Sequence, residues 1–413
     1  MSARSDIWRR IAEGLLLAYV ATLPAGALLP TEVRNALIYG VALFGVLDAA
    51  VGPPGPGLRG VWPVGVFLGV HVLTIFTSEH RSLSLGLSVF MPVVAMMFVV
   101  SQRVLVGPRA IGRLYAAFGF VAAAIAIDGA VQAVFRVDLL RMQPTPDAFD
   151  RVHASLPHPN DLVMVPILLP FLFESLRALG RKWLVAGVLV IGPAVAITLV
   201  ASKSRNAWLT MAGVLMVWSL LVLGWRWALG LMGLLGGAAA LLYALDFWGL
   251  RARVNDFLRL RQDGRVGLWL VAWAMFKDSP WLGKGVFTFG EYYHPRWYSL
   301  HVRFPRWYTP EPLIIPWAHN LVLEMLGERG LVGLASFVWM IGAAVASVGR
   351  RLLEPRTAAA ATALAGFLGA GLLDLTLMKD WVALLLFLLL ALLWRLGAVD
   401  EQDVENGTES ATP

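Results

Sequence analysis

Long runs of apolar residues alternate with short polar segments along most of the 413-residue chain. A run of about 20 apolar residues is long enough for an α-helix to cross the hydrocarbon core of a bilayer. The pattern therefore predicts an all-α polytopic membrane protein with about 12 transmembrane helices. These helices are expected at residues 11–29, 33–50, 61–77, 83–100, 110–135, 161–177, 183–200, 206–224, 226–247, 319–348, 357–377 and 380–397.

One long polar segment interrupts this pattern. It gives a first set of nine helices within residues 1–247, a large loop at 248–318 and three further helices within 319–397. The acidic residues 398–413 are expected to form a disordered tail. Inside the loop, Val266 to Phe276 have helical apolar spacing, which predicts a short helix lying on the membrane surface.

Composition supports a membrane protein and excludes several kinds of chemistry. Of all residues, 58% are hydrophobic and only 15% are charged, and the mean hydropathy is +0.69, which no soluble globular domain reaches. The chain has no cysteine, so disulfides, thiolate metal sites and a cysteine nucleophile are excluded. The first apolar run lacks a convincing cleavage site and is predicted to be a helix, not a removed signal peptide.

The distribution of charge predicts the topology and a ligand class. Arginine and lysine are more frequent in the short loops on the side of the N-terminus, which predicts that both termini are cytoplasmic. The large loop lies on the other side and has a net charge of +5. A basic cavity there suits a phosphorylated, lipid-linked ligand. The alternative is simple attraction to anionic lipid headgroups.

A histidine where the large loop meets an apolar helix is the strongest candidate for chemistry. His319 is expected in the first turn of that helix, at the water–lipid boundary, where an imidazole can accept a proton near neutral pH. A lone histidine more often caps or supports a helix. Polar residues expected on the same face favour a functional role here: Asn320, Glu324, Arg205, Arg265 and, near the outer end of the eleventh span, Asp374.

No sequence motif for a metal site is present. There is no His-x-x-x-His pair and no Asp-x-Asp motif, which argues against a metal-dependent membrane glycosyltransferase. The pattern fits a reaction in which guanidinium groups take the charge of the leaving group. Arg205 opens a span and Arg265 opens the predicted surface helix, so each is placed to hold a phosphate. The alternative for Arg205 is snorkelling to the headgroups.

Several short motifs together resemble the O-antigen ligase and polymerase superfamily. The resemblance covers the C-terminal two-thirds of the chain, and the order and topology of the motifs are more specific than any one of them. The motifs are His158-Pro159-Asn160, Ser204-Arg205, Gly264-Arg265 with Trp269, Asp278-Ser279-Pro280 with Gly283, Gly285 and Phe289, and His319-Asn320 with Glu324, Gly330 and Gly333.

The resemblance implies a GT-C-type glycosyltransferase of the bacterial inner membrane with its site in the periplasm. As an O-antigen ligase it would transfer a glycan from undecaprenyl pyrophosphate to the lipid A–core oligosaccharide, with inversion and without a metal, ATP or another cofactor. His319 would activate or orient the acceptor hydroxyl, and Arg205 and Arg265 would bind the pyrophosphate. The residues expected to support them are Asn320, Glu324, Asp374, His158 and Asn160. The partners would be these two substrates and membrane lipids, with no nucleic acid, and the chain is expected to be a monomer.

Three alternatives remain open at the level of the sequence. An O-antigen polymerase and a protein O-oligosaccharyltransferase of the same superfamily use the same donor, although the latter generally has a longer C-terminal part. A transporter of lipid-linked glycans would also have many helices. It should then have charged or broken helices near the bilayer midplane, whereas the unusual residues here gather at the outer face.

Overall fold

The computed structural model is all-helical in the part of the chain that it describes. It describes residues 5–23, 31–51, 58–140, 142, 144, 151–246, 249, 251–252, 254–255, 265–293 and 315–409. Among these residues there is no β-strand, and the pairing of Val137 with Pro144 is an isolated β-bridge.

The helices follow the apolar runs of the sequence closely. In chain order they are α1 Ser5–Ala21, α2 Thr31–Val51, α3 Val61–Thr77, α4 Arg81–Leu87, α5 Met91–Val104, α6 Gly107–Phe135, α7 Met164–Leu179, α8 Arg181–Ser202, α9 Arg205–Val222, α10 Trp225–Ala244, α11 Arg265–Asp278, α12 Phe289–Tyr293, α13 Leu321–Val348, α14 Pro355–Gly371 and α15 Asp380–Glu409. Two 3₁₀ helices, Pro159–Val163 and Gly349–Leu353, lead into α7 and α14.

The prediction of a polytopic membrane protein is confirmed. Within the described residues, nine helical segments are long and apolar enough to cross a membrane, and Val61–Thr77 is apolar but shorter. Each of the twelve predicted spans overlaps at least one helix. The number twelve and the GT-C architecture stay predictions.

The last long helix, α15, forms the centre of the bundle. Of its apolar part, Asp380–Ala398, 89% is buried inside the protein, whereas only 6% of Trp225–Ala244 is buried. A helix that is hydrophobic on all sides can contact either lipid or other helices, and in α15 other helices surround the apolar part. Because α15 is held from every side, it gives a fixed base to the segment immediately before it, which carries Asp374.

Helix α15 also continues further than the sequence predicts. Its helical conformation extends to Glu409, whereas a disordered tail was expected from residue 398. The added residues contain no proline and include good helix formers such as glutamate and glutamine, so the backbone can continue in the helical conformation beyond the apolar part.

Helix α13 is broken at Gly330. This glycine has φ of 63°, a left-handed conformation that glycine adopts without a steric penalty. The turn at residues 280–285 pairs with the broken backbone, because the N–H groups of Lys284 and Gly285 donate to the carbonyls of Gly327 and Glu328 at 2.9 Å. Beyond the break, the N–H of Leu331 donates to the carbonyl of Pro280 at 2.8 Å. The break therefore leaves these backbone groups satisfied.

The helix predicted at Val266–Phe276 is present as α11. Leu268, Val271 and Met275 are buried against α12 and Ala318, whereas Trp273 is 44% exposed. Helix α11 has apolar residues on both faces, so periodicity alone does not decide which face packs against protein. Because Gly327 has no side chain, α11 approaches α13 closely: a Cβ at Gly327 would lie 3.0 Å from the carbonyl oxygen of Ala272. This close contact fixes the orientation of α11.

Candidate functional site

His319 lies just before α13, not in its first turn as the sequence predicts. Asn320 is the N-cap, and its side-chain oxygen accepts a hydrogen bond from the N–H of Leu323 at 3.0 Å. His319 itself has φ of 53°, a left-handed conformation that is uncommon for residues other than glycine. This backbone conformation turns the imidazole away from the course of the helix and towards the segment after α14.

His319 forms a hydrogen-bonded pair with Asp374. Nδ1 of His319 donates to the Asp374 carboxylate, and Nη2 of Arg265 lies 3.9 Å from the other carboxylate oxygen. Burial of Asp374 opposes its charge, but the hydrogen bond and the positive charges of Arg265 and Lys379 lower the pKa of this carboxyl below its ordinary value. An ionised carboxylate on Nδ1 fixes the tautomer and leaves Nε2 to exchange a proton.

Asn320 and Glu324 hold the segment that carries Asp374. The Asn320 amide donates to the carbonyl of Leu372 at 2.9 Å. Glu324, which is only 1% exposed, accepts a hydrogen bond from the hydroxyl of Thr376 at 2.6 Å. These two contacts lie on either side of Asp374 in the sequence. The start of α13 and its N-cap therefore hold the backbone on both sides of Asp374.

The His319–Asp374 pair opens into a polar cavity of about 550 Å³. The cavity is lined by Arg34, Pro157, His158, Asn160, Asp161, Trp317, His319, Asp374, Met378, Lys379, Asp380 and Trp381. Nζ of Lys379 donates to Asp161 at 2.8 Å and lies 5.3 Å from the centre of the Trp317 ring. A cavity with charges of both signs and two indole rings suits a polar ligand with apolar ring faces, such as a sugar.

His158 and Asn160 reach the same cavity from the 3₁₀ helix before α7. Nδ1 of His158 accepts from the backbone N–H of Asn160 at 3.1 Å. Burial, together with the nearby charges of Arg151 and Lys379, lowers the pKa of His158 although two carboxylates oppose this. His158 is therefore neutral at pH 7 and suits hydrogen bonding better than binding of an anion.

Arg205 lies next to this group but does not line the cavity. It is the first residue of α9, behind the N-cap Ser204, whose hydroxyl contacts Oδ1 of Asn160 at 3.4 Å. The neighbouring Asn206 donates to the carbonyl of Ala370 at 3.2 Å. The first turn of α9 therefore lies beside the C-terminal end of α14, at Ala370. Within the described residues, neither Arg205 nor Arg265 is part of the cavity wall.

The structure thus brings most of the predicted residues together. Asp161 and Arg34 are among the cavity residues that the sequence analysis did not single out. Asp161 directly follows the motif His158-Pro159-Asn160 and is part of the cavity wall. Arg34 lies in the first turn of α2, and its Nε is buried with no hydrogen-bond partner. The only sequence signal for Arg34 is a charged residue at the start of an apolar helix, which does not show which site the residue reaches.

Comparison with known proteins finds a family resemblance for part of the chain. Residues 186–338 match the family model described as O-antigen ligase. The matched region contains Arg205, Arg265, His319, Asn320 and Glu324, whereas the segments of His158 and Asp374 lie outside it. No curated protein matches the chain.

Proposed function

We propose that this chain catalyses a glycosyl transfer, and the premise is that it is a member of the O-antigen ligase and polymerase superfamily. Members of this family are glycosyltransferase-like enzymes, either ligases or polymerases. Our proposal is the ligase reaction, in which a glycan moves from undecaprenyl pyrophosphate to a hydroxyl of the lipid A–core oligosaccharide. The product is lipopolysaccharide.

The observation that carries the proposal is the hydrogen bond between His319 and Asp374 at the wall of a polar cavity. A sugar hydroxyl is a poor nucleophile at neutral pH and reacts faster when a base removes its proton during attack. In this arrangement Nε2 of His319 takes that proton, while Asp374 orients the ring and stabilises the imidazolium. His319 is therefore proposed as the catalytic base and Asp374 as its positioning residue.

The bond changes follow from a single displacement. The acceptor oxygen attacks the anomeric carbon of the donor, and the bond from that carbon to the pyrophosphate oxygen breaks on the opposite face. The electron pair leaves with the pyrophosphate, so the anomeric configuration inverts. Arg205 and Arg265 are proposed to take the developing negative charge, because guanidinium groups bind phosphate oxygens in a bidentate manner. No metal or other cofactor has a role in this scheme.

The location of the reaction is part of the proposal. The excess of arginine and lysine in the short loops on the side of the termini supports cytoplasmic termini and a site facing the periplasm. Because both substrates are lipid-anchored, the site must lie near one membrane surface and open to the lipid. A shared cavity would also supply rate by holding donor and acceptor close together.

O-antigen polymerase is the second candidate, because the family match supports ligase-type or polymerase-type enzymes in general and does not specify the acceptor. A protein O-oligosaccharyltransferase would differ in the same way. The break in α13 at Gly330 is a feature that transporters also use. Here the turn at 280–285 makes hydrogen bonds with the backbone groups that the break exposes, so they are not available to a substrate. This favours a fixed scaffold over a substrate pathway.

The test is transfer from undecaprenyl-pyrophosphate glycan to purified lipid A–core by the purified protein with EDTA present. We expect wild-type transfer and a loss of at least about a hundredfold in His319→Ala, the range that a general base contributes. The control is His80→Ala, since His80 contacts Tyr292 and lies outside the cavity. Elongation of the lipid-linked glycan without transfer to lipid A–core would make the protein a polymerase. The absence of both activities would overturn the proposal of glycosyl transfer.

A further inference from the structure

One cation in the wall of the polar cavity has no ion pair or hydrogen bond within the described residues. Arg34 lies in the first turn of α2 and lines the cavity of about 550 Å³ that contains His319. Its side chain is half-buried and its Nε is fully buried, and none of the described residues accepts a hydrogen bond from its guanidinium group. Burying part of a charged group without a partner is costly, so we expect the partner to come from a ligand.

The other charged groups in the described wall of this cavity have partners within the protein. Nζ of Lys379 donates to Asp161 at 2.8 Å, and Asp374 belongs to the histidine pair. Asp380 accepts from a backbone N–H of its own helix at 2.7 Å. The charges of Asp380 and Arg34 act on the same tyrosine of α1, but the two groups form no ion pair with each other. Arg34 is therefore the charged group of the described wall that is available to a ligand.

The chemistry of this arginine favours an anionic ligand. A guanidinium group donates from a planar fork that matches the oxygens of a carboxylate or a phosphate, and the resulting hydrogen bonds are charge-assisted. A neutral sugar hydroxyl also accepts from it, but leaves a partly buried charge without a counter-charge. The volume of the cavity is in the range of small-molecule sites, so one ligand can contact Arg34 and His319 together.

The proposed reaction assigns this anion to the acceptor and not to the donor. In a single displacement, the attacking oxygen and the leaving pyrophosphate lie on opposite faces of the anomeric carbon. Arg205 and Arg265 are proposed for the pyrophosphate, and neither is part of the cavity wall. His319, which is proposed to take the proton of the acceptor hydroxyl, shares that wall with Arg34. A cation that shares the cavity with the base lies on the acceptor's side of the reaction.

We propose that Arg34 binds a negatively charged group of the acceptor, a phosphate ester or a carboxylate close to the hydroxyl that His319 activates, an inference that rests on the proposed function. The preferred acceptor is then an acidic oligosaccharide, which Arg34 distinguishes from neutral glycans. Trp317 and Trp381 line the same cavity and offer apolar faces to the sugar rings. Arg34 is thus a specificity-determining residue, and its role is separate from that of the catalytic pair.

The test combines variants of Arg34 with removal of the anion from the acceptor. Arg34→Gln removes the charge, whereas Arg34→Lys keeps the charge but loses the planar fork. Arg81→Gln is the matched control, because Arg81 opens α4 at an exposed position and does not line the cavity. Each protein is assayed with three acceptors: intact lipid A–core, lipid A–core without its phosphate esters, and lipid A–core with its carboxyl groups reduced.

We expect Arg34→Gln to raise KM for the intact acceptor on the order of tenfold, with little change in kcat or in KM for the donor, because it removes a contact made equally before and during attack. Arg34→Lys should give an intermediate KM, and Arg81→Gln should match wild type. With the acceptor that lacks the recognised anion, wild type and Arg34→Gln should have the same raised KM. That acceptor also identifies the anion as a phosphate or a carboxylate.

A higher KM for the donor in Arg34→Gln would assign Arg34 to the pyrophosphate and overturn the inference. An equal rise with all three acceptors, or no rise with any, would also overturn it. Calorimetric titration in detergent with glucose 6-phosphate, glucuronate and glucose tests the site without activity. Binding of an anionic sugar that is lost in Arg34→Gln but kept in Arg81→Gln supports the site, and equal binding of glucose contradicts it. A wild type that transfers no glycan would contradict the proposed function, and the titration would then decide the anion site alone.

Discussion

Asp374 illustrates how one residue combines several contacts at the site. Its carboxylate accepts from His319 and faces Arg265, while the backbone around it is tied to α13 through Asn320 and Glu324. Burial alone would favour the protonated carboxyl, so the charged partners determine its state. Removing the charge of Asp374 should therefore change the orientation of His319 and the environment of Arg265 together.

Asp374→Asn should lower kcat for transfer by at least about a hundredfold with a smaller change in KM, because an amide neither fixes the Nδ1–H tautomer nor stabilises an imidazolium. Steady-state kinetics with both substrates would measure this. Asp246→Asn is the control, since Asp246 lies in the turn after α10 and accepts from the N–H of Arg251 at 3.0 Å. A kcat of Asp374→Asn close to that of wild type would show that His319 acts without the carboxylate.

The lowered pKa of Asp374 also predicts how stability depends on pH. A carboxyl whose pKa is lowered by folding contributes stability above its ordinary pKa of 3.8, and this contribution is lost as the pH falls through the lowered value. The difference in thermal stability between wild type and Asp374→Asn should therefore not shrink between about pH 7 and pH 5. Melting curves of both proteins in detergent at several pH values would test this, and a difference that disappears by pH 5 would contradict the assignment.

At the scale of helices, the apolar pattern was sufficient to locate nearly every element. The sequence did not predict two features that depend on backbone geometry and packing: where α13 begins and which face of α11 is buried. His319 is followed by a strong N-cap, Asn320, so the helix begins at Leu321. The sequence analysis placed His319 inside the first turn because it did not identify Asn320 as the cap. The buried face of α11 depends on the close approach of Ala272 to Gly327, which no periodicity in α11 itself encodes.

Gly330→Ala should destabilise the protein by at least about 2 kcal/mol, because alanine is strained at positive φ and has no space here. A Cβ at this position would lie 2.3 Å from the backbone carbonyl of Trp281. We expect a melting temperature several degrees lower in detergent and a smaller properly folded fraction. Gly342→Ala, in the same helix, should melt like wild type, and an unchanged melting temperature for Gly330→Ala would mean that the break adapts easily.

At the scale of the molecule, the site is built from segments far apart in the sequence. His158, His319 and Asp374 lie in three different connections between helices, and Arg265 is the first residue of α11; only the packing of the bundle brings these four residues together. The sequence indicated that each was unusual for a membrane protein, but it did not give their mutual distances. The contribution of Arg34 from α2, about 120 residues before His158, was hidden for the same reason.

The orientation of the whole bundle is directly testable because the chain has no cysteine. Leu140, which is 45% exposed after α6, lies at the same end of the bundle as the site, and Lys182 is exposed in the first turn of α8 at the other end. If the site faces the periplasm, a membrane-impermeant maleimide should label Leu140→Cys in cells with a permeable outer membrane. Lys182→Cys should react only after the inner membrane is opened. The reverse pattern would place the His319–Asp374 pair in the cytoplasm, where the proposed donor glycan is absent after its export, and would contradict the ligase reaction as a whole.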